Sequence, residues 1–231
     1  LADLAFGLGG VFRARRRISS RFFSSSWCDM KKRAIEKCRG RLRIAERAML
    51  GVAQAKTYDE FQDHWYVFLT SYKSIYTALS KGAKTNPATG AWMAGKHQER
   101  KKDQLLQYLY QARSDDEHGI ESVSALVPAS MLIGAPGPDY SSSFYIDRIT
   151  MNKGRLEAQL DSLDGKPVAF QITQPHATLI RVHGRDGTPY DPPKQHKGTP
   201  LPDRSPLAVA QCALAYVTEL VSEAEKRVAD E

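Results

Sequence analysis

The stretch TYDEFQDHWYVFLTSYKSIYTALSKG, residues 57–82, decides the fold of the first half of the chain. Thr57 can accept a hydrogen bond from the amide of Glu60, whose side chain reaches back, so a capping box starts a helix here. Lys81 and Gly82 supply a C-terminal stop. Large apolar side chains recur at steps of three and four, at Tyr58, Phe61, Trp65, Phe68, Tyr72, Ile75 and Leu79. This spacing places them on one face of the helix. It favours core packing of the aromatic rings over stacking on nucleic-acid bases.

Further helices are predicted on both sides of this stretch. From Met30 the positions Ile35, Cys38, Leu42, Ala45, Met49 and Val52 repeat at the same steps. A third helix is predicted from about Trp92 to Ala112, and a shorter fourth helix near Ser114–Asp116, because Ser and Asp are favoured N-caps. Short loops between such helices predict an antiparallel bundle over residues 30–127.

The first 29 residues do not continue this pattern. The apolar stretch LADLAFGLGGVF is too short to span a bilayer, and the basic stretch FRARRRISSR follows it, the reverse of the order in a secretory signal. An Arg- and Ser-rich composition is typical of an organellar transit peptide, and it also fits a non-native or mis-called extension. We favour the second interpretation and expect residues 1–29 to be a disordered or non-native extension.

The second half of the chain has a β pattern. PASMLIGAPGPDYSSS has the composition of a linker, and the candidate strands SFYIDRIT, RLEAQL, PVAFQIT and ATLIRVH follow it with short turn-forming connectors. These predict a small antiparallel β-meander in a region spanning 128–204. The proline-rich run TPYDPPKQHKGTP fits either a recognition or lid segment or a strap that ties the last helix across the sheet, and we favour the strap. Ser205 and Pro206 then begin a C-terminal amphipathic helix over 205–231. The predicted fold class is α+β.

Basic residues concentrate in the helical half. The chain carries a formal charge of +7, and residues 30–127 hold 17 Lys and Arg against 11 Asp and Glu. Such an excess of positive charge attracts anionic partners. The alternative is that these residues only form a solvated helix face. The residues we predict to contact a nucleic-acid backbone are Lys32, Arg33, Arg39, Arg43, Arg100, Lys101 and Lys102. Contact of this kind would be salt-sensitive and largely independent of sequence.

The stretch ARSDDEHGI, residues 112–120, holds the candidate catalytic pair. Arg113 is followed by four residues and then by His118. On an unbroken helix two residues five apart point about 140° away from each other, so the pair converges only if the chain bends at Ser114–Glu117. The alternative is an ordinary helix end, in which a cation complements the helix dipole and the adjacent acidic residues.

A compact helical bundle with an Arg and a His at this spacing resembles the HEPN superfamily, over about residues 31–127. Many members of that superfamily are metal-independent RNases of toxin–antitoxin and defence systems. The resemblance implies a homodimer in which His118 transfers protons around an RNA 2′-hydroxyl and Arg113 holds the phosphate. It implies no cofactor. The β-rich half lies outside the resemblance.

We therefore expect an RNA-cleaving or RNA-binding protein, metal-independent if it is active. The alternative is a non-catalytic helical protein that assembles with a cognate protein partner. We expect a cytoplasmic protein, because three scattered cysteines fit a reducing compartment. We expect no membrane association. A metal site formed by His176, His183 and His196 is disfavoured because their spacing matches no known ligand pattern.

Overall fold

The computed structural model describes residues 24–84, 87–120, 122–134, 143–165 and 168–229. Its helices are α1 (Ser24–Gln54), α2 (Tyr58–Ala83), α3 (Pro87–Lys102), α4 (Gln104–His118) and α5 (Pro206–Ala229). Its strands are β1 (Ser124–Val127), β2 (Ser130–Gly134), β3 (Phe144–Asn152), β4 (Arg155–Ser162), β5 (Ala169–Thr173), β6 (His176–Leu179), β7 (Val182–His183), β8 (Pro189–Tyr190), β9 (Gln195–His196) and β10 (Thr199–Pro200). The predicted α+β class, with an N-terminal helical bundle and a C-terminal helix, is confirmed.

The helices α1 and α2 pack antiparallel along their lengths. Near one end of the pair Gly82 lies against Ala34, and near the other end Gly51 lies against the ring of His64. The predicted aromatic stripe of α2 is buried, with Trp65 and Phe68 each only 1% exposed. Thr57 accepts from the amide of Glu60 at 3.2 Å, so the predicted cap is present. The first helix begins at Ser24, earlier than the predicted Met30, and residues 1–23 of the predicted extension lie outside the described residues.

The third predicted helix is in fact two helices. The chain is extended at Asp103, which caps α4 by accepting from the amide of Leu106 at 2.9 Å. The predicted helix start near Ser114–Asp116 is wrong, because α4 continues unbroken to His118. Arg113 lies 3.6 Å from Asp116 and 3.7 Å from Glu117, and ion pairs at these spacings favour a continued helix.

The last helix returns to the bundle. Its cap is the predicted one, since Ser205 Oγ accepts from the amide of Ala208 at 3.2 Å. It packs on α1, α2 and α4, and Val209, Val217 and Leu220 are buried in the shared core. The stretch Pro206–Arg227 is long and apolar enough to cross a membrane, with a mean hydropathy of 1.2. Half of its most apolar part is buried inside the protein, and a core helix passes the same test.

The β region is built from nested strand pairs rather than from the predicted meander. The β3–β4 hairpin forms as predicted, but β5 pairs with β2 and β6 pairs with β1. The β1–β6 and β2–β5 pairs continue a single register, with no residue inserted on either side between them. Ser124 is opposite Leu179 in the first pair, and Ser130 is opposite Thr173 in the second. The strands β1 and β2 fall in stretches that the sequence assigned to the bundle and to the linker.

A β-bulge gives the β3–β4 hairpin an apolar face. Ile146 and Ile149 are an odd number of residues apart, so a regular strand would point them to opposite sides. The register shift at Asp147 restores them to one side. The cross-strand pairs on that side are Ile146 with Leu160, Ile149 with Ala158 and Met151 with Leu156. We call these six residues the apolar hairpin face.

The β4 strand is held at one point by a side chain. The Gln174 amide accepts from Leu156 N at 2.8 Å and donates to Leu156 O at 3.0 Å. One side chain thus makes both hydrogen bonds that a paired backbone residue would make. It joins the start of β4 to the junction between β5 and β6.

The proline-rich segment is a strap. Asp103 accepts from the amide of Lys197 at 2.6 Å and lies 3.1 Å from His196 Nδ1. The His196 ring packs edge-on against Tyr216 of α5 with ring centroids 5.5 Å apart. The strap therefore ties the start of α4 to α5, and not to the sheet as the sequence suggested.

Candidate functional site: a basic groove and a histidine cleft at the end of α4

The last turn of α4 is a ridge between two clefts. Arg113 and Glu117 line one cleft, whereas Ser114 and His118 line the other. Each pair is four residues apart, and side chains at that spacing lie on the same side of a helix. The two residues of the predicted catalytic pair therefore lie on different sides of the ridge.

The first cleft is a basic groove of about 450 Å³ between α1, α2 and the end of α4. Its cations are Arg33, Lys37 and Arg41 from α1, Lys73 and Lys81 from α2, and Arg113 from α4. Steps of four residues place the three α1 cations on one face. Hydroxyl groups of Thr70, Ser74 and Thr77 lie among them, and Glu117 is the carboxylate of the lining. Such a concentration of positive charge suits a phosphate-rich ligand.

Arg113 is largely enclosed at one end of this groove. It is only 7% exposed, and its guanidinium carbon lies 5.0 Å from the centroid of the Tyr66 ring. Its Nε and Nη1 atoms have no hydrogen-bond partner within the described ranges, since its contacts with Asp116 and Glu117 exceed hydrogen-bond length. A buried guanidinium with unfilled donors is unusual in a folded protein.

Glu117 is the counter-charge of the groove. Its Oε2 lies 3.0 Å from Lys73 Nζ, and this hydrogen bond holds the pKa of the Glu117 carboxyl below its usual range. Burial raises the pKa of Asp116, against the opposing effect of Arg113. An anion entering the groove would compete with Glu117 for both Lys73 and Arg113.

The predicted nucleic-acid-binding residues are dispersed. Arg33 lines the groove, but Arg39 lies on another face of α1, where its Nε is 2.7 Å from Glu225 of α5. Arg100 is buried, with its guanidinium 3.6 Å above the Tyr110 ring. The remaining members do not line the groove and are exposed: Lys32, Arg43, Lys101 and Lys102.

The sequence interpretation missed the groove cations of α2. Lys73, Thr77 and Lys81 recur at four-residue steps on the side of α2 that does not carry the aromatic stripe. That spacing was a usable signal. What it did not reveal is that this side of α2 meets Lys37 and Arg41 across the helix pair.

The second cleft, of about 470 Å³, joins the end of α4 to the β7–β8 hairpin. We call it the histidine cleft, and its lining is Ser114, Asp115, His118, Gly119, His183, Gly184 and Arg185. The guanidinium Nη2 of Arg185 contacts His118 Nε2. His118 therefore has a guanidinium partner, but that partner is Arg185 and not Arg113. The bend that would bring Arg113 to His118 within one chain is absent from α4.

The hairpin is anchored firmly on α4. Tyr108 Oη donates to Ile180 O at 2.8 Å, and the amide of His183 donates to Asp115 Oδ2 at 2.9 Å. A Cβ at Gly119 would lie 2.6 Å from Asp115 O, so the close approach at the end of α4 requires glycine there. The histidine cleft is thus formed by parts held in fixed positions.

The histidines considered for a metal site do not converge. His196 contacts Asp103, His183 lines the histidine cleft, and His176 Nδ1 lies 3.1 Å from Gln174 O. No group of three or more His, Cys, Asp or Glu side chains is placed to hold a metal ion in the described part of the chain.

Comparisons of the chain with protein-family models, with curated proteins and with solved structures find no match. The resemblance to the HEPN superfamily therefore stays a prediction.

Proposed function

We propose that this protein binds RNA through the basic groove, by contacts with the phosphate backbone. The observation that carries the proposal is the convergence of six cations on a groove with one carboxylate in its lining. Neutralising phosphates releases counterions, which supplies affinity without base recognition. We propose RNA as the ligand because the helical half resembles a superfamily rich in RNases.

The enclosed guanidinium of Arg113 supports the same conclusion. Its permanent positive charge at the groove attracts phosphate oxygens. The hydroxyl of Ser74 lies nearby in the groove lining and can donate to the same oxygens. Neighbouring phosphates of one strand would then be held by Lys37, Arg41 and Lys81.

The experiment is a titration of labelled single-stranded RNA with the full chain, followed by fluorescence polarisation at several salt concentrations. The double variant Lys37→Ala/Arg41→Ala should weaken binding and lower the salt slope by about 0.7 for each phosphate that is no longer neutralised. The matched control Arg204→Ala/Lys226→Ala removes two exposed cations outside the groove and should leave the affinity nearly unchanged. Equal weakening by both pairs would contradict a groove-specific site.

A second candidate function is assembly with a protein partner, which includes a homodimer. It is supported by the apolar hairpin face, where Ile146, Ile149 and Met151 are 45%, 51% and 58% exposed. Exposed apolar side chains side by side on one strand are typical of interaction surfaces. Light scattering of the RNA-free protein at high salt tests it. A dimer that Ile149→Ser converts to a monomer would support this candidate.

A further inference from the structure

The histidine cleft brings together two imidazoles and a guanidinium. His118 comes from the end of α4, whereas His183 and Arg185 come from the β7–β8 hairpin, outside the helical bundle. RNA cleavage without a metal needs a base, an acid and a cation at the phosphate. These three side chains are of the types that supply them.

We propose that the histidine cleft cleaves RNA phosphodiesters, with His118 and His183 transferring the protons and Arg185 holding the phosphate. The proposal rests on the proposed function, since it requires RNA bound by this protein. It assigns to Arg185 the role that the sequence motif suggested for Arg113. It leaves Arg113 as a residue that binds the strand in the groove.

The contact between Arg185 and His118 makes His118 the candidate base. A guanidinium is always a donor, so the His118 Nε2 that faces Arg185 acts as the acceptor and carries no proton in this contact. When a phosphate enters, Arg185 binds its oxygens and leaves the Nε2 lone pair free. His118 is then the base and His183, in its protonated form, the acid.

The reaction balances without a further reagent. His118 takes the proton of the 2′-hydroxyl, and the 2′-oxygen forms a bond to phosphorus. The bond from phosphorus to the 5′-oxygen breaks, and His183 gives its proton to that oxygen. The products are a 2′,3′-cyclic phosphate and a 5′-hydroxyl, and Arg185 stabilises the charge on the phosphoryl oxygens between these steps.

One strand would have to pass over the last turn of α4 to reach both clefts. Arg113 and His118 lie five residues apart on α4, which is about 7.5 Å along the helix axis and about 140° around it. The anchoring of the hairpin by Tyr108 and Asp115 keeps His183 and Arg185 in place before RNA arrives.

The test uses the full chain, end-labelled RNA and EDTA, with cleavage and binding measured on the same samples. Wild-type protein should leave 2′,3′-cyclic phosphate ends, and an all-2′-deoxy strand should be bound but not cut. We expect His118→Ala and His183→Ala to lose cleavage by roughly 100-fold or more, with binding retained. Arg185→Ala should lose cleavage, and Arg185→Lys should recover part of it. His176→Ala removes an exposed histidine outside the cleft and should cleave normally.

The pH profile separates proton transfer from a structural role. Two imidazoles in opposite protonation states, with Asp115 and Arg185 as the other charged groups of the cleft, give a bell-shaped dependence of kcat/KM, and each histidine variant should lose one limb. Bound but uncut RNA would overturn this inference and leave the proposed function standing. Cleavage that survives His183→Ala and Arg185→Ala but needs Arg113 would also overturn it. Failure to bind RNA at all would overturn the proposed function and this inference with it.

Discussion

Glu117 is the carboxylate that an anion must displace from the lining of the basic groove. It is bound to Lys73 at 3.0 Å and also lies 3.7 Å from Arg113. Because Lys73 holds its pKa below the usual range, Glu117 stays ionised throughout the neutral range. In the proposed function, RNA phosphates would compete with Glu117 for these two cations.

Removing this charge should tighten RNA binding. We expect Glu117→Gln to lower the Kd several-fold at low salt, because Lys73 then loses its carboxylate partner and Arg113 keeps only Asp116. Fluorescence polarisation measures the effect. The control Glu219→Gln makes the same charge change at an exposed site on α5. An equal gain in both variants would point to overall charge instead of a local effect.

A second single residue, Asp103, holds the start of α4 and the strap together. Burial alone would raise its pKa, but hydrogen bonds from the amides of Lys197 and Leu106 and from His196 lower it overall. We expect Asp103→Ala to lower the free energy of unfolding by about 2–4 kcal/mol, from the missing helix cap and the unpaired donors. Urea unfolding measures this. Asp191→Ala, which removes an exposed partner of Arg181, should change stability little.

The same residue predicts the response to acid. Since the folded-state pKa of Asp103 is depressed, its stabilisation is present above the unfolded pKa of about 3.9. It is lost as the pH falls through the lower folded value. Urea unfolding of wild type and Asp103→Ala should therefore converge in acid. A gap that stayed constant down to strong acid would contradict the assignment.

At the level of elements, the last turn of α4 depends on Gly119. The amide of Gly119 donates to Asp115 O, and an added Cβ would clash with that same oxygen. We expect Gly119→Ala to fray the turn, displace His118 and lower stability by roughly 1–2 kcal/mol. Gly95→Ala, in a part of α3 where a Cβ meets nothing within 4 Å, should instead stabilise by about 0.5–1 kcal/mol. Thermal unfolding of both variants provides the comparison.

Local sequence patterns predicted many of the helices and strands. They failed where contacts between residues distant in the chain determine the structure. The α2 stripe and its cap at Thr57 follow from spacing alone, and both are confirmed. The break at Asp103 is different, because its carboxylate is held by the strap, about ninety residues away in the chain. Strand β2 is a short apolar stretch among Gly, Pro and Ser, and only its pairing with β5 makes it a strand.

The candidate site shows the same limit. The sequence motif singled out His118 but paired it with a neighbour in the chain, Arg113. In the structure the partner of His118 is Arg185, which belongs to another element. A helix with a period of 3.6 residues separates residues that are five apart, so the sequence motif and the spatial cluster do not coincide.

For the whole molecule, hydrogen bonds between the bundle and the β region imply cooperative unfolding of the two. Tyr58 Oη donates to Ser124 O at 2.7 Å, and Tyr108 reaches Ile180 O. We expect the amides of β1 and β6 to exchange with solvent through openings whose free energy is close to that for α2. The amides of β3 should exchange at a lower free energy of opening, because β3 is almost wholly exposed. Hydrogen exchange with mass spectrometry measures this. Tyr58→Phe should speed exchange in β1 selectively, whereas fast exchange of β1 in the wild type would indicate an independent β region.

Gln174 has a consequence for the behaviour of the protein at high concentration. A free strand edge presents an N–H and a C=O to which a strand from another molecule can add, and an apolar face beside it favours such growth into fibrils. At Leu156 the side chain of Gln174 already occupies both groups. The amide thus seals the edge at the point where β4 starts, so that recruitment of foreign strands is blocked there within a single chain.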